Sequence, residues 1–273
     1  MPTLLLLSLL FVLFTATTCC AAEPLNLRML DQLTNNERLK IVDNRILLVP
    51  GEDHTSIQIP RVFAALKSAN WLTADENTGL TVAPEPDYWL IRWDDRPAGA
   101  KEIELVFDTA VQFGGDLKAS EQLGDGRINM HAFEATTTGE KLRYEPQPYK
   151  NTVGFWIDPG DFAAWTINVE QPGNFNVGLL QGCGAGQGGS QAVLSVSPQV
   201  ASPHAATPDN APVSELEFEV VETGHFQNFV WRNIGEIAIA EPGVYTVKLR
   251  PQRIAVKALM DVRQIQLVRR PSP

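Results

Sequence analysis

The stretch GFWIDPGDFAAWTINVEQPGNFNVGLL, residues 154–180, decides the fold of this chain. On both sides of its second Pro-Gly pair the apolar residues recur at every second position, the spacing that places alternate side chains on opposite faces of a β-strand. Proline presets the first central residue of a turn, and glycine accepts the positive φ of the second. The pattern predicts two strands, whose core-facing residues are Trp165, Ile167, Val169, Phe175, Val177 and Leu179.

A second segment repeats this design. AEPGVYTVKL, residues 240–249, again places Glu-Pro-Gly before alternating apolar residues. We expect two hairpin-like elements of one kind in this half of the chain, although no full-length internal repeat is visible.

The same period of two extends over most of the chain. Turn-forming stretches such as PGED and ADENTG separate the candidate strands, a rhythm typical of antiparallel β-sandwiches. The exception is residues 26–41, where leucines recur at helical intervals and predict one short helix. Further strands are predicted at Arg45–Val49, Ser56–Val62, Leu80–Ala83, Tyr88–Trp93, Glu102–Phe107, Gln191–Val196, Glu215–Val221, Glu236–Ala240, Val244–Leu249 and Leu259–Val268.

These patterns divide the chain into four parts. Residues 1–22 form a leucine-rich run that ends in small residues, the pattern of a secretory signal peptide. An uncleaved anchor is the alternative, although the apolar run is short for a bilayer span of about 20 residues. We then predict a small β-sandwich over 23–108, a glycine-rich linker over 109–127 and a second, jelly-roll sandwich over 128–270.

Composition excludes several classes of function. The formal net charge is −10, and the 22 Lys and Arg residues form no basic cluster. A nucleic-acid partner is not expected, because such binding depends on positive side chains that neutralise phosphates. After residue 22 no apolar run is long enough to cross a membrane, and Cys183 is the only cysteine there, so no internal disulfide is expected.

Motifs of catalysis are scarce. After residue 22 the chain contains no HExxH, paired cysteines or GxSxG. The glycine-rich stretch 181–191 lacks the lysine of a nucleotide-binding loop, and its Cys183 has no recognisable histidine partner. Acid pairs in turns, Asp158 with Asp161 or Asp94 with Asp95, leave a glycosidase open as an alternative, which would need two carboxylates about 5 to 10 Å apart across a cleft.

Aromatic residues give a stronger indication. Sugars stack their C–H faces on aromatic rings and hydrogen-bond their hydroxyls to polar side chains. Several rings lie outside the clean strand alternation, namely Tyr149, Phe155, Trp156, Phe226, Phe229 and Trp231. Polar residues of the same half are Glu134, Asn151, Asn228 and Asp261. Burial in the core is the alternative explanation for Phe155, Trp156 and Phe229, whereas Tyr149 and Phe226 have polar neighbours and are expected to be exposed.

The second half resembles a known family of domains. Segments AFEATTTGEKLRYEPQPYKNTVGFWIDPGDFAAWTINVEQPGNFNVGLL, TGHFQNFVWRNIGEIAIAEPGVYTVKLRP and ALMDVRQIQLV are similar to carbohydrate-binding modules of families 6 and 35 over residues 128–268. The resemblance implies a galactose-binding-like jelly roll with its cleft in the loops at one end. The carbohydrate-binding residues it implies, together with the aromatic and polar candidates above, are Glu134, Tyr149, Asn151, Phe155, Trp156 and Phe226. Two departures stand out: Asp261 where the family often has asparagine, and Phe226 where it often has tryptophan.

The first half resembles another domain. About residues 45–108, with their KSA and GLTV strands, are similar to the C-terminal β-sandwich of family 29 α-L-fucosidases. Only about 20 residues separate the predicted signal from the first strand, so we expect no (β/α)₈ barrel of about 250 residues upstream. The two halves together resemble the accessory tail of a fucosidase without its catalytic barrel.

The sequence thus predicts an all-β protein of two consecutive antiparallel sandwiches. We expect a secreted or periplasmic, non-catalytic protein that binds an oligosaccharide or polysaccharide and has no stable membrane span after signal cleavage. The alternative function is a structural or docking module for a partner glycoside hydrolase, a sulfatase or a cell-surface component. No cofactor is expected, apart from a structural calcium that the resemblance implies and for which no full ligand set aligns.

Overall fold

The computed structural model describes residues 25–72, 80–114, 117–199 and 214–271. The predicted signal peptide, residues 1–22, lies outside the described residues. The first half contains helix α1 (Leu25–Asn35) and strands β1 (Leu39–Val42), β2 (Arg45–Leu48), β3 (Ser56–Pro60), β4 (Leu66–Trp71), β5 (Thr81–Pro84), β6 (Tyr88–Arg92) and β7 (Ile103–Phe107). The second half contains strands β8 (Ser120–Glu121), β9 (Arg127–His131), β10 (Thr136–Thr138), β11 (Arg143–Glu145), β12 (Thr152–Gly154), β13 (Phe162–Val169), β14 (Gly173–Gly182), β15 (Gln191–Pro198), β16 (Ser214–Glu219), β17 (Val230–Ile239), β18 (Gly243–Arg253) and β19 (Asp261–Arg269).

Seven strands of the first half build a small sandwich of two sheets, in the orders β1-β2-β7-β4 and β3-β6-β5. All described pairs within these sheets are antiparallel. The alternating side chains of β7 explain the packing, because Ile103, Leu105 and Phe107 are completely buried.

The second half is a larger sandwich of two six-stranded sheets. One has the order β10-β13-β18-β15-β16 with β8 beside β13, and the other has the order β11-β12-β19-β14-β17 with β9 beside β19. All six residues predicted from residues 154–180 to face the core are at most 1% exposed. The predicted all-β class, with antiparallel sandwiches and no barrel, is confirmed.

The two Pro-Gly turns do not form hairpins, and that expectation was wrong. Strands β13 and β14 lie in opposite sheets of the larger sandwich, and so do β17 and β18. The glycine after each proline has an unusual backbone, with φ of 148° at Gly173 and 151° at Gly243. Only glycine readily adopts this region. Each turn carries the chain across the core from one sheet to the other.

The predicted helix over 26–41 is too long. Helix α1 ends at Asn35, and Glu37 follows with a left-handed φ of 56°, which no right-handed helix can continue. Leu39 then enters β1 opposite Leu48, where its side chain is buried. Pairing with β2 therefore outweighs the helical spacing of the leucines at the end of this segment.

Part of the segment 109–127, predicted as a linker, lies within the larger sandwich. Ser120 and Glu121 form β8, which runs parallel to β13 beside Ile167 and Asn168. The Gln122 side chain accepts hydrogen bonds from the backbone N–H groups of Glu170 and Gln171 at 3.0 and 2.7 Å. The end of this segment is thus held against the sheet.

The two sandwiches meet at a packed seam around Arg61. Its guanidinium donates to the carbonyl of Ala135 at 2.5 Å and lies 4.3 Å from the centre of the Phe63 ring. Across the same seam the rings of Trp89 and Tyr144 lie 6.2 Å apart. Because the buried side chains of both sandwiches belong to one continuous cluster, we treat the seam as part of the core.

Candidate functional site

An open pocket lies at the end of the larger sandwich where β12 ends and β19 begins. We call it the loop-end pocket. Its volume is about 230 Å³, and its lining residues are Glu145, Lys150, Phe155, Trp156, Ile157, Phe226, Gln227, Ala258 and Asp261. The pocket therefore combines aromatic walls with two carboxylates and one ammonium, the mixture expected of a site for a polar ligand with apolar faces.

Phe155 forms one wall and has an unusual backbone. Its φ is 61°, a left-handed conformation that is rare for a bulky residue, and its side chain is 42% exposed. The guanidinium of Arg143 covers the ring at 3.6 Å from its centre. Strained conformations persist where the surrounding structure enforces them, often at binding sites. Here the strain turns a large ring outward at the end of β12.

Phe226 forms the facing wall, and glycines make room for it. A β-carbon at Gly182 would lie 1.9 Å from the Phe226 carbonyl oxygen, and one at Gly184 would lie 2.6 Å from its ring. Thr223 anchors the same loop, because its hydroxyl accepts from the Cys183 N–H at 2.8 Å. Gly182 and Gly184 thus make room for Phe226, whereas Gly186 and Gly189 have a positive φ and Gly188 lies against Glu222.

Lys150 and Glu145 form an ion pair inside the pocket. The Lys150 ammonium lies 2.5 Å from a Glu145 oxygen, and the Glu145 side chain is only 6% exposed. Arg263 fixes the backbone of this loop by donating to the carbonyls of Tyr149 and Lys150 at 2.8 and 2.6 Å. The positive charge of Lys150 is therefore paired with Glu145 within the protein.

Asp261 is the second carboxylate of the pocket and is only 6% exposed. Its oxygen and that of Glu145 both lie within 2.9 Å of the place where a β-carbon at Gly154 would stand, so the two carboxyl groups face the same small space. No residue of the described part of the chain donates a hydrogen bond to it. Burial, and then the charge of Glu145, raise the pKa of Asp261 to about 8.

Three of the predicted site residues line the loop-end pocket, but one of them cannot offer a stacking face. Phe155 and Phe226 form walls, whereas the Trp156 side chain is completely buried. Its indole N–H donates to the Asp161 carbonyl at 3.2 Å, and its own carbonyl accepts from Leu259. The expectation that Trp156 contacts sugar is corrected to a supporting role beneath the pocket.

The other three predicted residues do not line the pocket. Glu134 lies in a 3₁₀ turn, and its carboxylate accepts from the His131 N–H at 2.7 Å and from the Ser120 hydroxyl at 3.3 Å. Asn151 accepts a hydrogen bond from the Tyr144 hydroxyl at 2.8 Å. Tyr149 is 68% exposed beside Lys150. Glu134 and Asn151 therefore stabilise local structure, and Tyr149 lies outside the pocket.

The acid pairs and the cysteine suggested by the sequence also lie outside the lining of the loop-end pocket. Asp158 accepts from the Gly160 N–H at 2.7 Å within a turn, and Asp94 and Asp95 are exposed in the small sandwich. Burial, followed by the charges of Glu222 and Asp261, raises the pKa of the Cys183 thiol and keeps it protonated. None of these acids, nor Cys183, lines the loop-end pocket.

The family resemblance implies a structural calcium. Within residues 25–72, 80–114, 117–199 and 214–271, no group of three or more His, Cys, Asp or Glu side chains converges as a metal site. The described carboxylates therefore do not supply the cluster of oxygen ligands that calcium prefers.

A second concavity lies on the face of the sheet formed by β14, β17 and β19. We call it the sheet-face groove, lined by Asn176, Gly178, Trp231, Arg232, Asn233, Gln266 and Val268. Trp231 is 47% exposed, and its ring packs 3.3 Å from the place of a β-carbon at Gly178. Arg232 donates to the Gln181 side chain at 3.0 Å, and Gln266 donates to Asn129 at 2.8 Å. These polar side chains are already engaged with protein partners.

No helix among the described residues is both long and apolar enough to cross a bilayer.

Comparison with known proteins gave structural likenesses only. No family model matches the chain, and no curated protein matches it in sequence. An α-L-fucosidase from Vibrio sp. strain EJY3 aligns with 85% of this chain at 13% identity and a TM-score of 0.35, so the chain spans 39% of that enzyme. A family 35 carbohydrate-binding module from Clostridium thermocellum aligns with 53% of this chain over 98% of its own length, at 14% identity and a TM-score of 0.39. A Podospora anserina GH26-CBM35 β-(1,4)-mannanase aligns with 55% of this chain and 29% of its own, at 16% identity and a TM-score of 0.36.

Proposed function

We propose that this protein is a secreted, non-catalytic carbohydrate-binding protein and that its glycan occupies the loop-end pocket. The observation that carries the proposal is the juxtaposition of two partly exposed rings, Phe155 and Phe226, with the buried carboxyl group of Asp261.

The chemistry of the pocket suits a sugar. The rings offer apolar faces to C–H groups, and Asp261 offers hydrogen-bonding capacity that no described residue uses. Because Asp261 lines the open pocket, a ligand hydroxyl or amine can hydrogen-bond to its carboxyl group.

The ion pair of Lys150 and Glu145 favours binding over catalysis. A general acid or nucleophile needs a carboxyl group that is free to reach the reacting bond, but the Glu145 carboxylate is already held by Lys150. We therefore assign the pocket no bond-breaking step. Incubation with aryl glycosides, including aryl fucosides, should release no aryl alcohol, and turnover by the purified protein would refute this part of the proposal.

Binding itself is tested with a glycan array and titration calorimetry on folded protein. Neutral, fucosylated, galactosylated, amino-sugar and uronic-acid glycans should be included, and we expect saturable binding of at least one class with one site per chain. Failure of every class, with folding verified by urea denaturation, would contradict the proposal.

The docking alternative predicts a contiguous apolar sheet face. Around Trp231 the sheet-face groove is instead lined by amide and guanidinium groups. This polar lining favours the glycan proposal over a docking module.

A further inference from the structure

Two of the three ionisable side chains that line the loop-end pocket are paired with each other, and the third is not. The three are Glu145, Lys150 and Asp261, and the ammonium of Lys150 is bound to Glu145. Asp261 lacks a hydrogen-bond donor among the described residues, although it is more than nine-tenths buried. A ligand that enters between the rings of Phe155 and Phe226 therefore meets a carboxyl group in need of donors.

Resting on the glycan-binding function proposed above, we propose that the loop-end pocket selects a sugar residue with a free amino group, whose ammonium binds Asp261 beside Glu145. An ammonium supplies a positive charge and three hydrogen-bond donors at one atom. Hydrogen bonds between charged partners are stronger than those of a neutral hydroxyl. A uronic acid would instead bring a further carboxylate next to the buried carboxylate of Glu145, where like charges repel.

Proton linkage supports the same selection. The titratable groups around Asp261 are Glu145 at the end of β11, Lys150 in the loop before β12, and Cys183 just after β14. Burial and Glu145 hold the pKa of Asp261 near 8, so the free site retains a proton at pH 6 to 7. A bound ammonium favours the ionised form and would displace that proton.

Three oligosaccharides test this selection with a single chemical difference. β-1,4-linked oligomers of glucosamine, N-acetylglucosamine and glucose, matched in length, differ only in the group at carbon 2, and a polyuronic acid adds the opposite charge. We expect the amine oligomer to bind about 10- to 100-fold more tightly than the other two, as charge-assisted hydrogen bonds allow. Titration at pH 6 in buffers of different ionisation enthalpy should show release of about one proton per site.

The outcomes separate this inference from the function on which it rests. Equal or tighter binding of the hydroxyl, acetamide or uronic-acid oligomer would refute the selection for amines and leave glycan binding intact. If no glycan of any class binds, both proposals fail. Amine binding without proton release would refute the role of Asp261.

A matched pair of variants completes the test. Asp261→Asn keeps the shape of the side chain and removes its charge, so the affinities for the amine and hydroxyl oligomers should become equal within about threefold. Asp95→Asn makes the same change at an exposed position of the small sandwich and should preserve the preference. An Asp261→Asn protein that is folded, as shown by a cooperative urea transition, and that retains the full preference would overturn the proposal.

Discussion

Arg61 and Asp261 are both buried charged side chains, yet their surroundings differ. At the seam, Arg61 donates to the Ala135 carbonyl and lies over two aromatic rings. At the loop-end pocket, Asp261 has a like charge as its neighbour and receives no hydrogen bond from any described residue. The protein thus uses one buried charge to join its sandwiches and leaves the other available at an opening.

Their protonation reflects the same difference. Burial lowers the pKa of Arg61 to about 10, so its guanidinium remains charged at neutral pH. Burial and Glu145 raise the pKa of Asp261 to about 8, so its carboxyl group is mostly neutral there. Arg61 is expected to matter for stability, and Asp261 for ligand binding and for the response to pH.

The largest loss of stability is expected at the seam. Arg61→Ala removes the donor to Ala135 and leaves a cavity between the sandwiches, and it should lower the free energy of unfolding by about 3 kcal/mol. Urea denaturation measures this change. Arg45→Ala is the control, because it breaks an exposed ion pair with Glu104 and should cost less than about 1 kcal/mol. Equal losses in the two variants would contradict a special role for the seam.

Removal of a pocket wall should affect binding and not folding. Phe226→Ala is expected to weaken glycan binding by about 1 to 3 kcal/mol, since the ring can no longer stack on the sugar. Titration calorimetry with the glycan identified on the array provides the measurement. An unchanged affinity would remove Phe226 from the site.

The pH response of stability should depend on Asp261. Because its native pKa lies above that of the unfolded chain, the native state retains a proton that unfolding releases, and stability falls as the pH rises from about 4 to about 8. Asp261→Asn removes this loss, so the stability of the variant relative to the wild type should rise by about 1.4 kcal/mol per pH unit between about pH 4 and pH 8. Below about pH 4 the difference should nearly vanish. Parallel pH profiles for the two proteins would show that Asp261 titrates normally.

The smallest effect is expected at the sheet-face groove. Trp231→Ala should change the affinity measured for the loop-end pocket by less than about 0.5 kcal/mol, because surface substitutions far from a site have small effects. The stoichiometry should also stay at one. Loss of binding in this variant would instead move the site to the sheet face.

Long strands could be predicted from sequence because their burial follows a simple period. Strands β7, β13 and β14 each repeat apolar residues at every second position, and those residues lie in the core. Strands β10, β11 and β12 were missed, because each has only three residues, too few to establish a period. The hairpin expectation failed because a Pro-Gly pair specifies a turn and not the sheet that the next strand joins.

The candidate site could be predicted only in part, for a related reason. Phe155, Phe226 and Asp261 stood out by residue type, whereas Glu145 and Lys150 looked like ordinary surface charges. Their burial depends on the short strands β11 and β12 and on the hydrogen bonds from the Arg263 guanidinium to the Lys150 carbonyl. These contacts join distant parts of the chain. Conversely, Glu134 has a polar side chain of the kind that binds sugars, but its carboxylate accepts hydrogen bonds from the His131 N–H and the Ser120 hydroxyl.

The close approach of Phe226 to Gly182 has a thermodynamic consequence. The main chain of the Phe226 loop rests directly on the end of β14, so the position of this loop is fixed by backbone contact. A binding site that is already ordered loses little conformational entropy when its ligand binds. Association should therefore proceed in a single kinetic phase, and specificity should evolve through the chemistry of the lining while the loop keeps its position.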